Sequence, residues 1–298
     1  MGWVVADFAN VLMPSDCRVC GAAMAGLARV RVCEACIARL GANAGSEQDM
    51  LCTRCGDAMG MESARFAKAM GVGECTMCRM APPQFDRAVA YANYEDEMRR
   101  MLHLLKFEGM RGIAEHVLGD AMAAAARKLR SEAANQLLVV PVPLFAAREK
   151  TRGFNQARVL AETMVKRLRR VDPGWALRLD SSLLQRVKDT RALYALNPSQ
   201  RRASLKGAFR VADDKSVRGR EVLVIDDIMT TGATARECAR VLKRAGAAKV
   251  WVVTAAKAQP DSVQSTAQHD EQSFAMWDAP SAFPARLMEP DAGRRVGF

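Results

Sequence analysis

The sequence predicts an α/β protein, a parallel sheet flanked by helices and preceded by a small Cys-rich module. Three observations carry that expectation. Four C-x-x-C pairs crowd the first 78 residues: Cys17/Cys20, Cys33/Cys36, Cys52/Cys55 and Cys75/Cys78. Strand-like apolar runs and helical spacings then succeed one another as far as Thr254. One run, Val222-Leu223-Val224-Ile225, leads into Asp226-Asp227 and a hydroxyl-rich turn, Thr230-Thr231-Gly232-Ala233-Thr234.

The cysteines come first along the chain. Two thiolates separated by two residues can hold one metal from a tight turn, and two such pairs complete the tetrahedral shell that Zn²⁺ prefers. The opening MGWVVADFAN lacks the basic region of a signal peptide, so the expected setting is the reducing cytoplasm, where disulfides are disfavoured. Gly21 and Gly56 suit knuckle turns, and Arg18 and Arg54 offset thiolate charge. A closed Cys₄ site leaves no position for water, which makes the zinc structural. Spacing alone leaves open whether successive pairs share a metal or interleave. Redox-active C-x-x-C motifs are the competing reading; four of them clustered outside any βαβ pattern favour metal. Cys238, alone, reads as a small buried residue. The module is expected over residues 1–84, ending near Ala81-Pro82-Pro83.

A second domain is expected over 85–257. Tyr94 to Phe107 has helical spacing, with Met98, Met101, Leu102 and Leu105 apolar, and Ile113 to Leu129 continues in Ala-rich helical style. His103 and His116 on these stripes read as packed or solvated rather than as ligands. Leu137 to Pro143 predicts the first buried strand, and a helix follows from about Asn155 to Arg169. The link Leu144–Phe154 reads as a loop carrying Arg148, Lys150 and Arg152, whose forked guanidinium donors and ammonium charge can clamp a pyrophosphate.

Val222 to Ile225 then predicts a strand covered on both faces. Asp226 and Asp227 at its carboxyl end can accept hydrogen bonds from vicinal ribose hydroxyls. The hydroxyls and N–H groups of Thr230, Thr231, Gly232, Ala233 and Thr234 can wrap a phosphate at a helix N-terminus. Thr234 and Glu237 fit a capping box for that helix, which is expected from Ala233 to Lys243 with Gly246 beyond its end. Val250 to Thr254 predicts a further strand. Residues 258–298 are polar, Pro-containing and aperiodic, and read as a mobile or partner-contacting tail.

The run Val222–Thr234 resembles the ribose-phosphate motif of type I phosphoribosyltransferases, which bind phosphoribosyl pyrophosphate (PRPP). Neither G-x-x-x-x-G-K-[ST] nor G-x-G-x-x-G occurs in the chain. Over about residues 10–257 the chain resembles the ComF family of competence-associated, phosphoribosyltransferase-like proteins. The likeness rests on the C-x-x-C pairs, Leu105-Lys106-Phe107-Glu108-Gly109, Val140-Pro141-Val142-Pro143, Arg152-Gly153-Phe154-Asn155-Gln156, Gly207-Ala208-Phe209 and the Asp226-Asp227 loop. It implies a zinc-binding module before a type I phosphoribosyltransferase fold, and a link to uptake or processing of transforming DNA. Two departures stand out: Leu193 occupies a position where the family usually has Gln, downstream of Arg186 and Thr190, and Ser204 stands for an Asn.

Such a protein would transfer a phosphoribosyl group with Mg²⁺, the threonine loop holding the 5-phosphate and the cations the pyrophosphate. No residue declares itself a general base, and nothing selects the acceptor. The rival expectation is a non-catalytic adaptor that binds single-stranded DNA alongside competence proteins. Net charge is +11, and residues 81–258 hold 33 basic against 19 acidic side chains, which suits any polyanion. Aromatic residues make up only 6% of the chain, which weakens a base-stacking platform. No apolar run approaches the length of a membrane span.

Overall fold

In this computed structural model, which describes residues 15–24, 30–42, 51–190 and 198–259, two small antiparallel ribbons stand apart from one parallel sheet. The ribbons are β1 (Ser15–Asp16) with β2 (Ala23–Met24), and β6 (Leu184–Arg186) with β7 (Phe209–Val211). The sheet comprises β3 (Arg87–Asn93), β4 (Gln136–Pro141), β5 (Ala176–Leu179), β8 (Glu221–Met229) and β9 (Lys249–Lys257), in the order β3-β9-β8-β4-β5. Every pairing in it is parallel.

Side chains alternate between the faces of the sheet, as the two-residue period of a strand requires. Val139, Leu223, Ile225 and Val253 join a core with helices α4 (Asp96–Phe107), α5 (Gly119–Arg127) and α7 (Gln156–Val171). Leu138, Val140, Val222, Val224 and Val252 join a second core with α8 (Pro198–Leu205), α9 (Ala233–Arg244) and the β6–β7 ribbon. Burial on both faces explains why β8 reads as a continuous apolar run.

The Cys-rich segment, expected as one small module, divides between these two cores. Cys17, Val19 and Cys36 pack with the first, next to α1 (Glu34–Ala42). Cys52, Cys55, Met59 and Cys78 pack with the second, beside α2 (Met61–Ala69) and α3 (Thr76–Met80). Polar ties reinforce both attachments: Arg39 Nε meets Glu97 Oε1 at 2.5 Å, and Ala88 N donates to Arg54 O at 2.7 Å.

Three local expectations change. Leu137–Pro143 is not the first strand of the sheet, because β3 precedes it; its sequence RAVAYAN is alanine-diluted, and its pairing with β9 is invisible in a local window. The link Leu144–Phe154 is not a loop but contains α6 (Ala146–Arg152). Ala-Ala-Arg-Glu-Lys are good helix formers, and Gly153 stops the helix at φ 80° with its N–H bonded to Glu149 O at 2.8 Å. The capping box is not formed: Gly232 is the N-cap of α9, and the Glu237 carboxylate accepts from Gly207 N at 2.6 Å and pairs with Arg240. The tail beyond Gln259 and the Leu193 departure lie outside the described residues. Among the described residues no helix is long and apolar enough to cross a membrane.

Candidate functional site

A cleft of about 730 Å³ opens at the carboxyl ends of β4, β8 and β9, the end of an open α/β sheet where ligands bind. Asp226 and Asp227 line it. They lie within β8 rather than beyond it, since the strand continues to Met229 and Asp226 is opposite Thr254 of β9. The two carboxylates are tied locally: Asp226 Oδ1 accepts from Asp227 N at 2.9 Å, and Asp227 Oδ1 from Ile228 N at 2.8 Å. Burial pushes the Asp226 carboxyl well above its ordinary range, and the neighbouring Asp227 charge adds to that, against the pull of Lys106. Lys106 Nζ itself lies 3.9 Å from Asp227 Oδ2.

Thr230, Thr231, Gly232, Ala233 and Thr234 all line the same cleft and turn the chain from β8 into α9. Gly232 makes the turn in the left-handed region at φ 69°, open to glycine at no steric cost, and a Cβ there would meet Met229 Cε at 3.2 Å. The turn is held from outside by Lys257 Nζ, which donates to Thr230 O at 2.9 Å. Backbone donors, hydroxyls and the amino end of a twelve-residue helix therefore converge on one spot.

Across the cleft, α6 presents Arg148 and Arg152, four residues apart and hence on one helical face. Lys150, two residues from each, is exposed and does not line the cleft. Sequence reasoning gave no role to four other lining residues: Lys106, Gln156, Arg186 and Arg201. The first three sit in segments that carry the family likeness, which was the available signal. Burial lowers the Arg152, Arg186 and Arg201 guanidinium pKa values, and the charge of Arg148 lowers the first two further. Among the described residues, two buried side-chain donors lack partners: Arg186 Nε and Gln156 Nε2. Gln156 is only 2% exposed, so its amide has little water to turn to.

The eight predicted cysteine ligands sort into two groups of four, with all sulfurs of each group within 4.8 Å of one another. Cys17, Cys20, Cys33 and Cys36 form one; Cys52, Cys55, Cys75 and Cys78 form the other. Successive pairs share a site, which the spacing had left open. Tetrahedral zinc with Zn–S bonds of about 2.3 Å sets sulfurs about 3.8 Å apart. The Cys20–Cys33, Cys55–Cys75 and Cys17–Cys36 separations are 3.7, 3.8 and 4.0 Å. Matching N–H donors support each group: Cys33 N to Cys17 Sγ at 3.3 Å and Cys75 N to Cys52 Sγ at 3.2 Å. Cys52, bonded by Cys55 and Cys78, falls well below the thiol range, while Cys78, bonded to Cys52 and desolvated, is pushed up to about 12. A divalent cation lets all four ionise together. Both groups could hold zinc.

The phosphoribosyl transferase domain family matches residues 120–276. DNA utilization protein YhgH of Salmonella typhi is 30% identical over 243 residues, 80% of this chain and 96% of that protein. Competence protein F of Haemophilus influenzae is 28% identical over 191 residues, 62% of this chain and 78% of the relative. Among solved structures, a hypoxanthine phosphoribosyltransferase from Staphylococcus aureus overlaps 49% of this chain and 62% of its own, at 17% identity and TM-score 0.28.

Proposed function

The chain belongs to the ComF family of proteins built on a phosphoribosyltransferase domain, and from that premise we propose that its cleft binds PRPP and transfers the phosphoribosyl group to an acceptor. One observation carries the reading: the paired carboxylates and the Thr230–Thr234 turn share a cleft with a facing cluster of arginines. Those are the three complements that a ribose, a phosphate monoester and a diphosphate require.

In this reading the N–H groups and hydroxyls of Thr230, Thr231, Gly232, Ala233 and Thr234 hold the 5-phosphate. Asp226 and Asp227 accept from the ribose hydroxyls. Arg148 and Arg152 hold the diphosphate, joined by Arg186 Nε and Gln156 Nε2, whose missing partners would be its oxygens. Lys150, exposed on the other side of α6, contributes long-range charge at most. Asp226 and Asp227 offer hard oxygen donors that would suit Mg²⁺, which when bound would supply positive charge against the leaving diphosphate. Departure of that group leaves positive character on the sugar, so this chain's part is to hold the diphosphate, align the sugar and exclude water. Residues 1–84 supply the two zinc knuckles, 85–257 the transferase fold. The names of the relatives suggest that the activity serves DNA uptake or use.

Calorimetric titration with PRPP and Mg²⁺ tests this. Binding by the wild-type protein, lost in a folded Asp226→Ala/Asp227→Ala variant, is the expected result. No binding by the wild type would sink the transferase reading and leave the single-stranded DNA adaptor, whose affinity must fall steeply with salt.

A further inference from the structure

Lys257 closes β9 and is only 4% exposed, yet it carries a charge into the wall behind the cleft. Its ammonium makes two contacts there. It donates to Thr230 O at 2.9 Å, on the Thr230–Thr234 turn, and it pairs with Asp57 Oδ1 at 2.7 Å, on the second cysteine cluster. Asp57 closes the knuckle of that cluster, for Cys52 N donates to Asp57 O at 2.8 Å and Gly56 N to Cys52 O at 2.9 Å. The next residue is anchored at the same end of the sheet: Ala58 N donates to Gln259 Oε1 at 3.0 Å, and Gln259 Nε2 to Asn93 Oδ1 at 3.1 Å. Ala258 N, following Lys257, donates to Met229 O at 3.0 Å.

We propose that Lys257 is a positioning residue for the Thr230–Thr234 turn, and that through Asp57 the Cys52/Cys55 knuckle sets how tightly that turn binds a phosphate monoester. This rests on reading the turn as the phosphate loop. In a trans peptide the carbonyl and the following N–H point in opposite directions. Holding the Thr230 carbonyl on the ammonium therefore turns the Thr231 N–H away from Lys257 and keeps it available to the ligand. Asp57 has a separate task. By neutralising the ammonium and fixing its direction, it stops Lys257 from rotating off the carbonyl, and a metal on Cys52 and Cys55 fixes Asp57 in turn. The first cysteine cluster, packed on the opposite face of the sheet, has no such path to the turn among the described residues.

The test is calorimetric titration of the full chain with ribose 5-phosphate and, separately, with inorganic diphosphate, alongside metal analysis and thermal melts. Wild type, Lys257→Met, Lys257→Arg and Asp57→Asn are compared. Lys257→Met is expected to bind ribose 5-phosphate about tenfold more weakly, the loss that about 1.4 kcal/mol produces. Its diphosphate affinity and metal content should stay at the wild-type level, and Lys257→Arg should recover most of the loss. Where the Met variant fails to fold, Asp57→Asn carries the expectation, at roughly threefold, since it removes one charge and keeps the shape. Equal affinity for ribose 5-phosphate in a folded, metal-loaded Met or Asn variant overturns the proposal, and so does a parallel fall in diphosphate affinity. If the wild type binds no ribose 5-phosphate, the phosphate-loop reading itself fails.

Discussion

Asp226 is held at the cost of stability. Its carboxyl is raised by burial first and by Asp227 second, so folding disfavours its ionised form. A group with a raised folded pKa destabilises the fold above its unfolded pKa, by an amount that grows with pH until the folded pKa is passed. Asp226→Asn should therefore melt higher than the wild type at pH 7.5, by about 2–4 °C if roughly 1 kcal/mol is recovered. The difference should vanish near pH 3.5, where both chains carry a neutral group, and ribose binding should be lost throughout. Melting curves at the two pH values decide it; a variant less stable than wild type at pH 7.5 would show that Asp226 is better solvated than its place in the cleft implies. This pair was legible in the sequence because the strand, the acids and the threonines are contiguous. Gln156 and Arg186 were legible only as members of the segments that carry the family likeness, since an unpartnered Nε2 or Nε appears only once the chain around it has been folded.

At the scale of elements, α6 shows what a charge run conceals. Arg148, Lys150 and Arg152 look equivalent along the chain, but a helix separates them, with the two arginines facing the cleft and the lysine facing water. Arg152→Ala is expected to weaken diphosphate binding at least tenfold, about what one lost charge-assisted contact is worth. Lys150→Ala should stay within about twofold, an exposed charge being well screened. Titration with inorganic diphosphate compares the two, and equal losses would contradict the helical register. The helix is masked in the sequence because its basic side chains read as a charged loop, although good helix formers carry them and Gly153 stands behind them. Strand β3 was missed for a different reason, its partner β9 being far off in sequence. The turn into α9 was predicted in the right place with the wrong cap, because Glu237 is engaged by Gly207 and Arg240 instead.

For the molecule as a whole, the two cysteine groups predict two zinc ions per chain. Metal analysis should find about two, all-structural, and their removal by a chelator should lower the melting temperature rather than merely the affinity for a ligand. A value near one would mean that one group is held by packing alone. The four pairs and their capacity to hold zinc were readable from spacing, whereas their distribution over both faces of the sheet was not, because cores are set by non-local contacts. The position of β9 carries a consequence for the order of events in synthesis. Among the described residues, the last strand of the sheet in sequence lies inside it, between β3 and β8. A nascent chain emerging from the ribosome can load zinc on its knuckles early, but β3, which pairs with β9 alone among the described strands, must wait without a strand partner until residue 257 has been made. The protein should therefore fold late and all at once, with a high contact order and a slow rate, and the growing chain would depend on chaperones during that interval.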